Sequence, residues 1–293
     1  MAQHPFKQVD VFTTEPYKGN PVAVVLDADD LDVETMQSIA RWTNLSETTF
    51  VLRPTTPEAD YRLRIFTPGG ELPFAGHPTL GSAHAVLESG RLEGSPDELV
   101  QECGAGLLKL SIEGTGLDRK ILVKTPMPKL SPPLASPQAN AVASALGGEF
   151  AAGSVPVAVD VGPVWLVAQM ESEDTVHALI PDMAALDTLS RELKVTGVTA
   201  FGLSSDGKDG VYVRSFAPAF GVPEDPVCGS GNASVGAYLF HTELLEITGA
   251  HYQARQGHEL GRDGVVSVRV EAPRPVVQIG GACVTCINGR LPT

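Results

Sequence analysis

The sequence predicts an α+β protein built from two similar halves, each packed around one helix of small residues. Three observations predict this. The chain contains an internal repeat in which an Arg-x-Phe-x-Pro segment precedes a small-residue helix. Strand patterns far outnumber helix patterns and lack the regular alternation of a parallel α/β sheet, so most pairing should be antiparallel. A proline-rich segment at residues 126–137 marks the crossover between the halves.

The repeat has two copies that match in order. In the first, residues 64–68 (RIFTP) precede residues 74–86 (FAGHPTLGSAHAV). In the second, residues 214–218 (RSFAP) precede residues 227–235 (VCGSGNASV). A repeat of this length predicts two similar halves that face each other, each offering one helix N-terminus to a shared cleft.

The helix of the second copy predicts close packing. A helix rich in Gly, Ser and Ala is a poor solvent-facing helix, because Gly costs about 1 kcal/mol relative to Ala. We therefore expect other backbone to surround it on most sides. Its N-terminus would present unpaired N–H groups and the positive end of the helix dipole beside Asp225, Cys228 and Ser230.

The remaining elements follow from hydrophobic periodicity. Helices are predicted at residues 32–42, 76–88, 139–146 and 183–194. Strands are predicted at residues 8–12, 22–26, 61–66, 120–124, 155–159, 164–168, 198–203, 210–216, 252–256, 265–271, 276–280 and 282–287, with a turn running into a strand at 44–52 and a hairpin at 98–113. A length of 293 residues allows two domains of about 150 residues each. We place them at 1–125, joined by the last strand at about 281–293, and at 126–280.

The overall composition argues against several classes of binding partner and cofactor. A net charge of −14 argues against binding nucleic acid or an anionic membrane through the general surface. No stretch reaches the roughly 20 apolar residues of a membrane span. Four cysteines without disulfide-framework spacing favour a reducing cytoplasm. No nucleotide-binding fingerprint is present and Cys283-x-x-Cys286 has no second pair or His partner nearby, so we expect neither a cofactor nor a metal.

Two residues of the first half are candidates for proton chemistry. Glu47 enters an apolar strand, where burial would raise its pKa and suit it to general acid or base work. The alternative is an ordinary exposed Glu at the start of a strand, which would give the same sequence pattern. His77 stands at the start of the first small-residue helix, where the dipole disfavours the imidazolium. A packed or capping histidine is the alternative.

The second half offers a carboxylate and a thiol. Asp225 before Pro226 is either a turn residue or a functional group beside a helix N-terminus. Cys228 lies at that N-terminus, where a thiol pKa falls and the thiolate becomes a competent base or nucleophile. The alternative is a small residue chosen to fit a tight turn.

These motifs together resemble the PhzF-like phenazine biosynthesis family, which is related in fold to diaminopimelate epimerase and proline racemase. The resemblance runs nearly end to end. It is carried by the segments Gly19-Asn20-Pro21, Asn44-Leu45-Ser46-Glu47-Thr48, Phe66-Thr67-Pro68, Phe74 to Gly81, Glu224 to Ser230, Gln256-Gly257, Gly261-Arg262 and Gly280-Gly281-Ala282.

The resemblance implies a fold of two pseudo-symmetric domains, each a sheet curled around a central helix, with the site between them. It also implies a homodimer and a cofactor-independent isomerase that moves a proton on a small carboxylate-bearing substrate. Glu47 matches the family's acid/base, and His77, Asp225 and Ser230 complete the site. Backbone N–H groups at Gly76-His77 and Gly229-Ser230 would hold the substrate carboxylate, with Cys228 beside them.

Two departures keep alternatives open. Racemase and epimerase relatives place a Cys in each half, whereas this chain has Ala75 in the first half and Cys228 in the second. The isomerase branch usually shows Thr where this chain has Cys228, and some one-Cys relatives are hydroxyproline dehydratases. The alternatives are therefore a racemase or dehydratase of a proline-like amino acid that uses Cys228, or a non-catalytic metabolite-binding relative.

Overall fold

The chain divides into two compact units. Unit 1 comprises Met1–Lys124 with Gly280–Thr293, and unit 2 comprises Thr125–Ile279. The computed structural model describes residues 3–92, 94, 96–204 and 210–293. Within these ranges, no helix combines the length and apolar character that a membrane crossing requires.

Unit 1 begins with β1 (Gln3–Val11), β2 (Asn20–Val25), α1 (Val33–Thr43), β3 (Thr48–Leu52), β4 (Tyr61–Phe66), β5 (Glu71–Leu72), α2 (Gly76–Glu88), β6 (Glu98–Cys103), β7 (Gly106–Glu113) and β8 (Lys120–Lys124). Unit 2 continues with β9 (Lys129–Leu130), α3 (Ser136–Leu146), β10 (Val157–Asp160), β11 (Val164–Gln169), α4 (Glu173–His177), α5 (Met183–Leu193), β12 (Gly197–Leu203), β13 (Val211–Ala217), β14 (Val222–Asp225), α6 (Gly229–His241), α7 (Leu245–Thr248), β15 (His251–Gln256), β16 (Gly264–Glu271) and β17 (Val276–Gly281). The last strand, β18 (Cys283–Pro292), returns to unit 1.

The two units share one strand topology. In unit 1, β1 is antiparallel to β2, β2 is parallel to β3, β3 is antiparallel to β4, β4 is parallel to β6, and β6 is antiparallel to β7. In unit 2, β10, β11, β12, β13, β15 and β16 follow in the same order with the same directions. The predicted α+β fold of two pseudo-symmetric, mostly antiparallel halves is confirmed.

Each unit wraps its sheet around one helix. The central helices α2 and α6 are 13 residues long, and ten residues of each are buried. Small residues are needed because neighbouring groups come so close. A Cβ on Gly81 would overlap the side chain of Val22, and one on Gly231 would lie 2.9 Å from Thr199 Oγ1.

Strand alternation places other helices on the opposite face of each sheet. In unit 1, Thr49 Oγ1 is 2.8 Å from Ser82 Oγ of α2, whereas the next residue, Phe50, packs in a cluster with Met36 of α1. In unit 2, α3, α4 and α5 contribute to the corresponding outer core. The sheet therefore separates a central helix from the outer helices in each unit.

Most predicted elements lie within a few residues of their predicted positions, including the helix at 76–88. The prediction missed the short elements α4, α7, β5, β9 and β14. These have two to five residues each, too few to show a period. The last strand runs five residues beyond its predicted end at 287, as far as Pro292.

The Arg-x-Phe-x-Pro motif has the same structural role in both units. Arg64 lies 5.2 Å above the ring of Phe66, and Arg214 lies 5.1 Å above the ring of Phe216. Each guanidinium also makes two hydrogen bonds to a glutamate on the next strand, Glu71 or Glu224. The side chains of the pair in unit 2 are 6% and 9% exposed, against 19% and 40% in unit 1.

This difference in burial predicts unequal stability effects. Removing one partner of a buried ion pair costs about 3–5 kcal/mol, because the other charge stays buried, whereas an exposed pair contributes about 0–1 kcal/mol. We expect Glu224→Ala to lower the urea midpoint of unfolding strongly. Glu71→Ala, the matched change in unit 1, should lower it little. Equal losses in the two variants would contradict this account.

Candidate active site

Glu47 lies at the turn that leads into β3. Its backbone carbonyl accepts a hydrogen bond from Ala23 N–H at 3.4 Å, which fixes the turn against β2. Its side chain is only 15% exposed. Glu47 is therefore a largely buried carboxyl group, not the ordinary exposed glutamate that was the alternative.

His77 is the second residue of α2 and lies against Glu47. His77 Nε2 is 3.5 Å from Glu47 Oε2, and the imidazole is 9% exposed. The imidazole also hydrogen-bonds to the backbone of Pro21. Because proline has no N–H, the imidazole is the donor in that bond.

The charge of His77 follows from its burial. Burial lowers the pKa of His77 to about 4, and the hydrogen bond to Pro21 opposes this only in part. The imidazole is neutral at pH 7, as predicted, although burial is the cause instead of the helix dipole.

The hydrogen bond to Pro21 assigns the tautomer. Among the described residues, no hydrogen-bond partner is found for His77 Nε2, so Nδ1 makes the bond to the Pro21 carbonyl. A neutral imidazole with its proton on Nδ1 has a lone pair on Nε2, the atom that lies 3.5 Å from Glu47 Oε2. At 3.5 Å the two groups are close enough for a protonated Glu47 to donate to this lone pair.

Asp225 is the carboxylate of the second motif, in unit 2. It ends β14, and its Oδ1 accepts the N–H of Val227 at 3.1 Å. Burial raises the pKa of Asp225 to about 6, although hydrogen bonds from the Cys228 thiol and the Val227 N–H act in the opposite direction. Asp225 is therefore a carboxyl group that titrates near neutral pH.

Cys228 is the N-cap residue of α6, and its Sγ accepts the N–H of Gly231 at 3.3 Å. Burial raises the pKa of the Cys228 thiol well above its usual value, and the negative charge of Asp225 raises it further. The prediction that this thiol would have a lowered pKa is wrong. The Gly231 N–H and the Ser230 hydroxyl act to lower the pKa, but they do not offset dehydration and an adjacent carboxylate.

Gln256 holds the second motif together. Its Oε1 accepts the N–H of Cys228 at 3.1 Å and Nδ2–H of Asn232 at 3.0 Å. Its Nε2 donates to the Asp225 carbonyl at 2.8 Å. The sequence analysis gave this side chain no role, although it stands in one of the segments that carry the family resemblance.

Ser230 is the second residue of α6, the position that His77 has in α2. The indole Nε1–H of Trp165 donates to Ser230 Oγ at 2.9 Å, and Cys228 Sγ lies 3.6 Å from the same oxygen. Trp165 is 3% exposed and comes from β11. Sequence reasoning missed this residue, since a Trp in an apolar strand gives no functional signal.

The predicted site residues thus form one group in each unit. Glu47 and His77 are in contact in unit 1, beside Gly76 at the start of α2. Asp225, Cys228, Gly229 and Ser230 lie together at the start of α6 in unit 2. Over the described ranges, no group of three or more His, Cys, Asp or Glu residues is arranged to hold a metal ion.

Comparison with known proteins identifies the family. A family model described as "Phenazine biosynthesis-like protein" matches residues 9–289. The chain therefore belongs to the phenazine biosynthesis-like family, and it is an isomerase.

Similarity extends over whole chains. Antisense-enhancing sequence 1 of Schizosaccharomyces pombe is 44% identical, covering 99% of this chain and 99% of that protein. The trans-2,3-dihydro-3-hydroxyanthranilate isomerase of Pseudomonas aeruginosa is 35% identical, covering 92% and 91%. The crystal structure of a PhzF-family phenazine biosynthesis protein from Bacillus anthracis matches with a TM-score of 0.87 at 28% identity, covering 100% of each chain.

The burial of His77 predicts its titration. In a pH series of NMR spectra, the His77 imidazole should titrate with a pKa near 4 and should carry its proton on Nδ1 at pH 7. The variant His77→Gln assigns the signal, and the other histidines serve as internal references. A midpoint near 6.5, the ordinary histidine value, would contradict the account.

The raised pKa of Asp225 predicts a pH-dependent stability. Its folded pKa is about 6, against an ordinary value of 3.8, so between these values the folded state binds a proton that the unfolded state does not. Ionised Asp225 is therefore unfavourable above pH 6, and the cost disappears as the pH falls towards 4.

We expect Asp225→Asn to stabilise the protein against urea by about 1–2 kcal/mol at pH 7.5 and by much less at pH 4.5. Glu192→Gln, on the exposed face of α5, is the control for a general effect of charge. A gain for Asp225→Asn that is equal at the two pH values would refute the explanation.

Proposed function

We propose that this isomerase moves a proton on a small carboxylate-bearing substrate without a cofactor, and that Glu47 carries the proton. The observation that supports this most is the pair in unit 1. A carboxyl group that is 15% exposed lies 3.5 Å from a neutral imidazole, so a proton can be held there away from bulk water. Shielded carboxyl groups beside a second titratable group are typical general acid/base sites.

The proposed step balances within the substrate and Glu47. Ionised Glu47 takes a proton from a carbon next to a carbon–carbon double bond, and the electron pair of that C–H bond moves into the conjugated system. The double bond shifts, and protonated Glu47 returns the proton to a different carbon. The product has the formula of the substrate, as an isomerase requires, and neither oxidant nor reductant is consumed.

His77 would be the hydrogen-bond partner of Glu47 during the transfer. With its own proton held by the Pro21 carbonyl, the imidazole presents the Nε2 lone pair to the carboxyl group. It can accept a hydrogen bond from protonated Glu47 after the first transfer. Burial lowers the pKa of His77, so the proton stays available for return to the substrate instead of being retained by the imidazole.

The first turn of α6 would bind the substrate carboxylate. First-turn N–H groups have no acceptor within their own helix, and the dipole favours an anion there. The Gly231 N–H is already capped by Cys228 Sγ. We therefore assign the N–H groups of Gly229 and Ser230, with the Ser230 hydroxyl, to the carboxylate, and Asp225 to a cationic or hydroxyl group of the substrate. Gly76 and His77 offer the equivalent backbone donors at α2.

Two alternatives are less well supported. A racemase or dehydratase that uses Cys228 needs a thiolate, whereas burial and Asp225 raise the pKa of this thiol. The equivalent position before α2 is Ala75, which makes no side-chain cap hydrogen bond. A non-catalytic relative would have no need of a shielded carboxyl group paired with an imidazole.

The substrate class follows from one relative. The Pseudomonas aeruginosa enzyme, 35% identical, is named for trans-2,3-dihydro-3-hydroxyanthranilate, a cyclic unsaturated amino acid. We propose a substrate of this class for the present chain, because its carboxylate, double bonds and amino group suit the groups assigned above.

The direct test is solvent deuterium incorporation. Wild type, Glu47→Gln and Cys228→Ser are incubated in D2O with a panel of cyclic unsaturated and saturated carboxylates that includes trans-2,3-dihydro-3-hydroxyanthranilate and proline. Removing a general acid/base costs typically 10²–10⁴-fold in rate. We expect a loss of at least this size in Glu47→Gln and less than about tenfold in Cys228→Ser, measured by mass spectrometry.

If Cys228→Ser loses exchange, Glu47→Gln keeps it and proline is the compound that exchanges, the protein would be a racemase or dehydratase instead. If no panel member exchanges or is converted to an isomer in wild type, binding of the same compounds is measured by calorimetry. Binding without exchange or isomerisation would favour the non-catalytic alternative and reject the proposal for this substrate class.

A further inference from the structure

The register of the two sheets shows which residue in unit 2 stands at the position of Glu47. Phe50 pairs with Arg64 in unit 1, and Ala200 pairs with Arg214 in unit 2. Glu47 stands three residues before Phe50, and Gly197 stands three residues before Ala200, so Gly197 is the equivalent of Glu47. The same alignment places Trp165 of β11 at the position of Val22 of β2, because β2 and β11 pair in parallel with β3 and β12.

Gly197 has no room for a side chain. A Cβ there would overlap the carbonyl of Phe216 and would lie 2.9 Å from Cζ3 of Trp165. The indole ring of Trp165 therefore fills space that a residue equivalent to Glu47 would need. In unit 1 the roles are reversed, since Val22 is small and the turn that leads into β3 supplies the Glu47 carboxyl group.

In both units, a side chain thus contacts the second residue of the central helix. Glu47 approaches His77 to 3.5 Å in unit 1, and Trp165 Nε1 approaches Ser230 Oγ to 2.9 Å in unit 2. The chemistry differs, because a carboxyl group can take up and release a proton, whereas an indole N–H only donates a hydrogen bond.

We infer that Trp165 is a positioning residue that holds Ser230 as a hydrogen-bond donor to an anionic oxygen of the ligand, in place of a second proton-carrying carboxylate. Since Ser230 Oγ accepts from the indole, its own hydrogen points away from Trp165. It can then donate to Cys228 Sγ in the free protein or to a ligand oxygen. The helix start of unit 2 would therefore contribute a ligand-binding group where the helix start of unit 1 has a group that can carry a proton. The ligand class rests on the function proposed above, whereas the contact between Trp165 and Ser230 does not.

The contact itself is tested without any ligand. The chain has two tryptophans, and Trp42 is 76% exposed, so its indole signal is an internal control. In ¹⁵N-resolved NMR spectra, we expect Ser230→Ala to move the Trp165 Nε1–H signal and to speed its exchange with solvent, while the Trp42 signal stays in place. An unchanged Trp165 signal would overturn the inference.

The positioning role is tested by a double-mutant cycle. The probe is 3-hydroxyanthranilate, an aromatic compound with the same substituents that cannot isomerise in the proposed way, and binding is measured by calorimetry. We expect Trp165→Phe and Ser230→Ala each to weaken binding by about three- to tenfold, the size of one lost hydrogen bond, and the double variant to be no weaker than Ser230→Ala. Trp42→Phe should bind like wild type.

Additive losses in the double variant would assign Trp165 a packing role only and would refute positioning through Ser230. Where wild type turns over a substrate, Trp165→Phe should raise KM by a larger factor than it lowers kcat. Glu47→Gln should have the reverse effect, with the larger change in kcat. If Glu47→Gln keeps full activity while the Trp165 signal responds to Ser230→Ala, the proposed function fails and the contact stands. If wild type does not bind the probe, positioning toward this ligand class is rejected.

Discussion

The structure depends on burying a helix N-terminus against a parallel pair of strands, once in each unit. Such a helix can be surrounded only if its residues are small, and both α2 and α6 satisfy this. The close approach leaves little water around the first turn, so polar groups there are strongly perturbed. The lowered pKa of His77, the raised pKa of Asp225 and the raised pKa of Cys228 all have burial as their largest cause.

The shared topology makes the chemical difference between the units easy to interpret. The scaffold repeats the stacked arginine, its glutamate and the central helix, but not the side chains at the helix start. Unit 1 has Ala75 and His77 where unit 2 has Cys228 and Ser230. The carboxyl group of Glu47 lies beside His77, and the indole of Trp165 lies beside Ser230. Symmetric chemistry with one thiol in each unit is thus not available to this chain, which supports the proposal that the two helix starts have different roles.

Much of the fold could be predicted because its signals are local. The repeat identified both central helices, and Gly76 to Glu88 has the bounds that the small-residue run indicated. The short elements were not predicted, because a strand of four residues such as Val222–Asp225 is too short to show a hydrophobic period. The site was harder to predict. Glu47 and His77 are 30 positions apart, and only strand pairing brings the turn before β3 to the start of α2.

The thiol shows why position in a motif does not by itself determine reactivity. At a solvent-facing helix start, a cysteine would gain from the dipole and lose little by ionising. Cys228 instead is buried beside Asp225, and two adjacent negative charges there would repel each other at low effective dielectric. One proton stays on the thiol as long as Asp225 is ionised, so Cys228 serves as a donor to that carboxylate and as a cap for Gly231. A buried thiol in this state orders the helix start, which favours the proposal that the carboxyl group of Glu47, and not Cys228, takes up the proton.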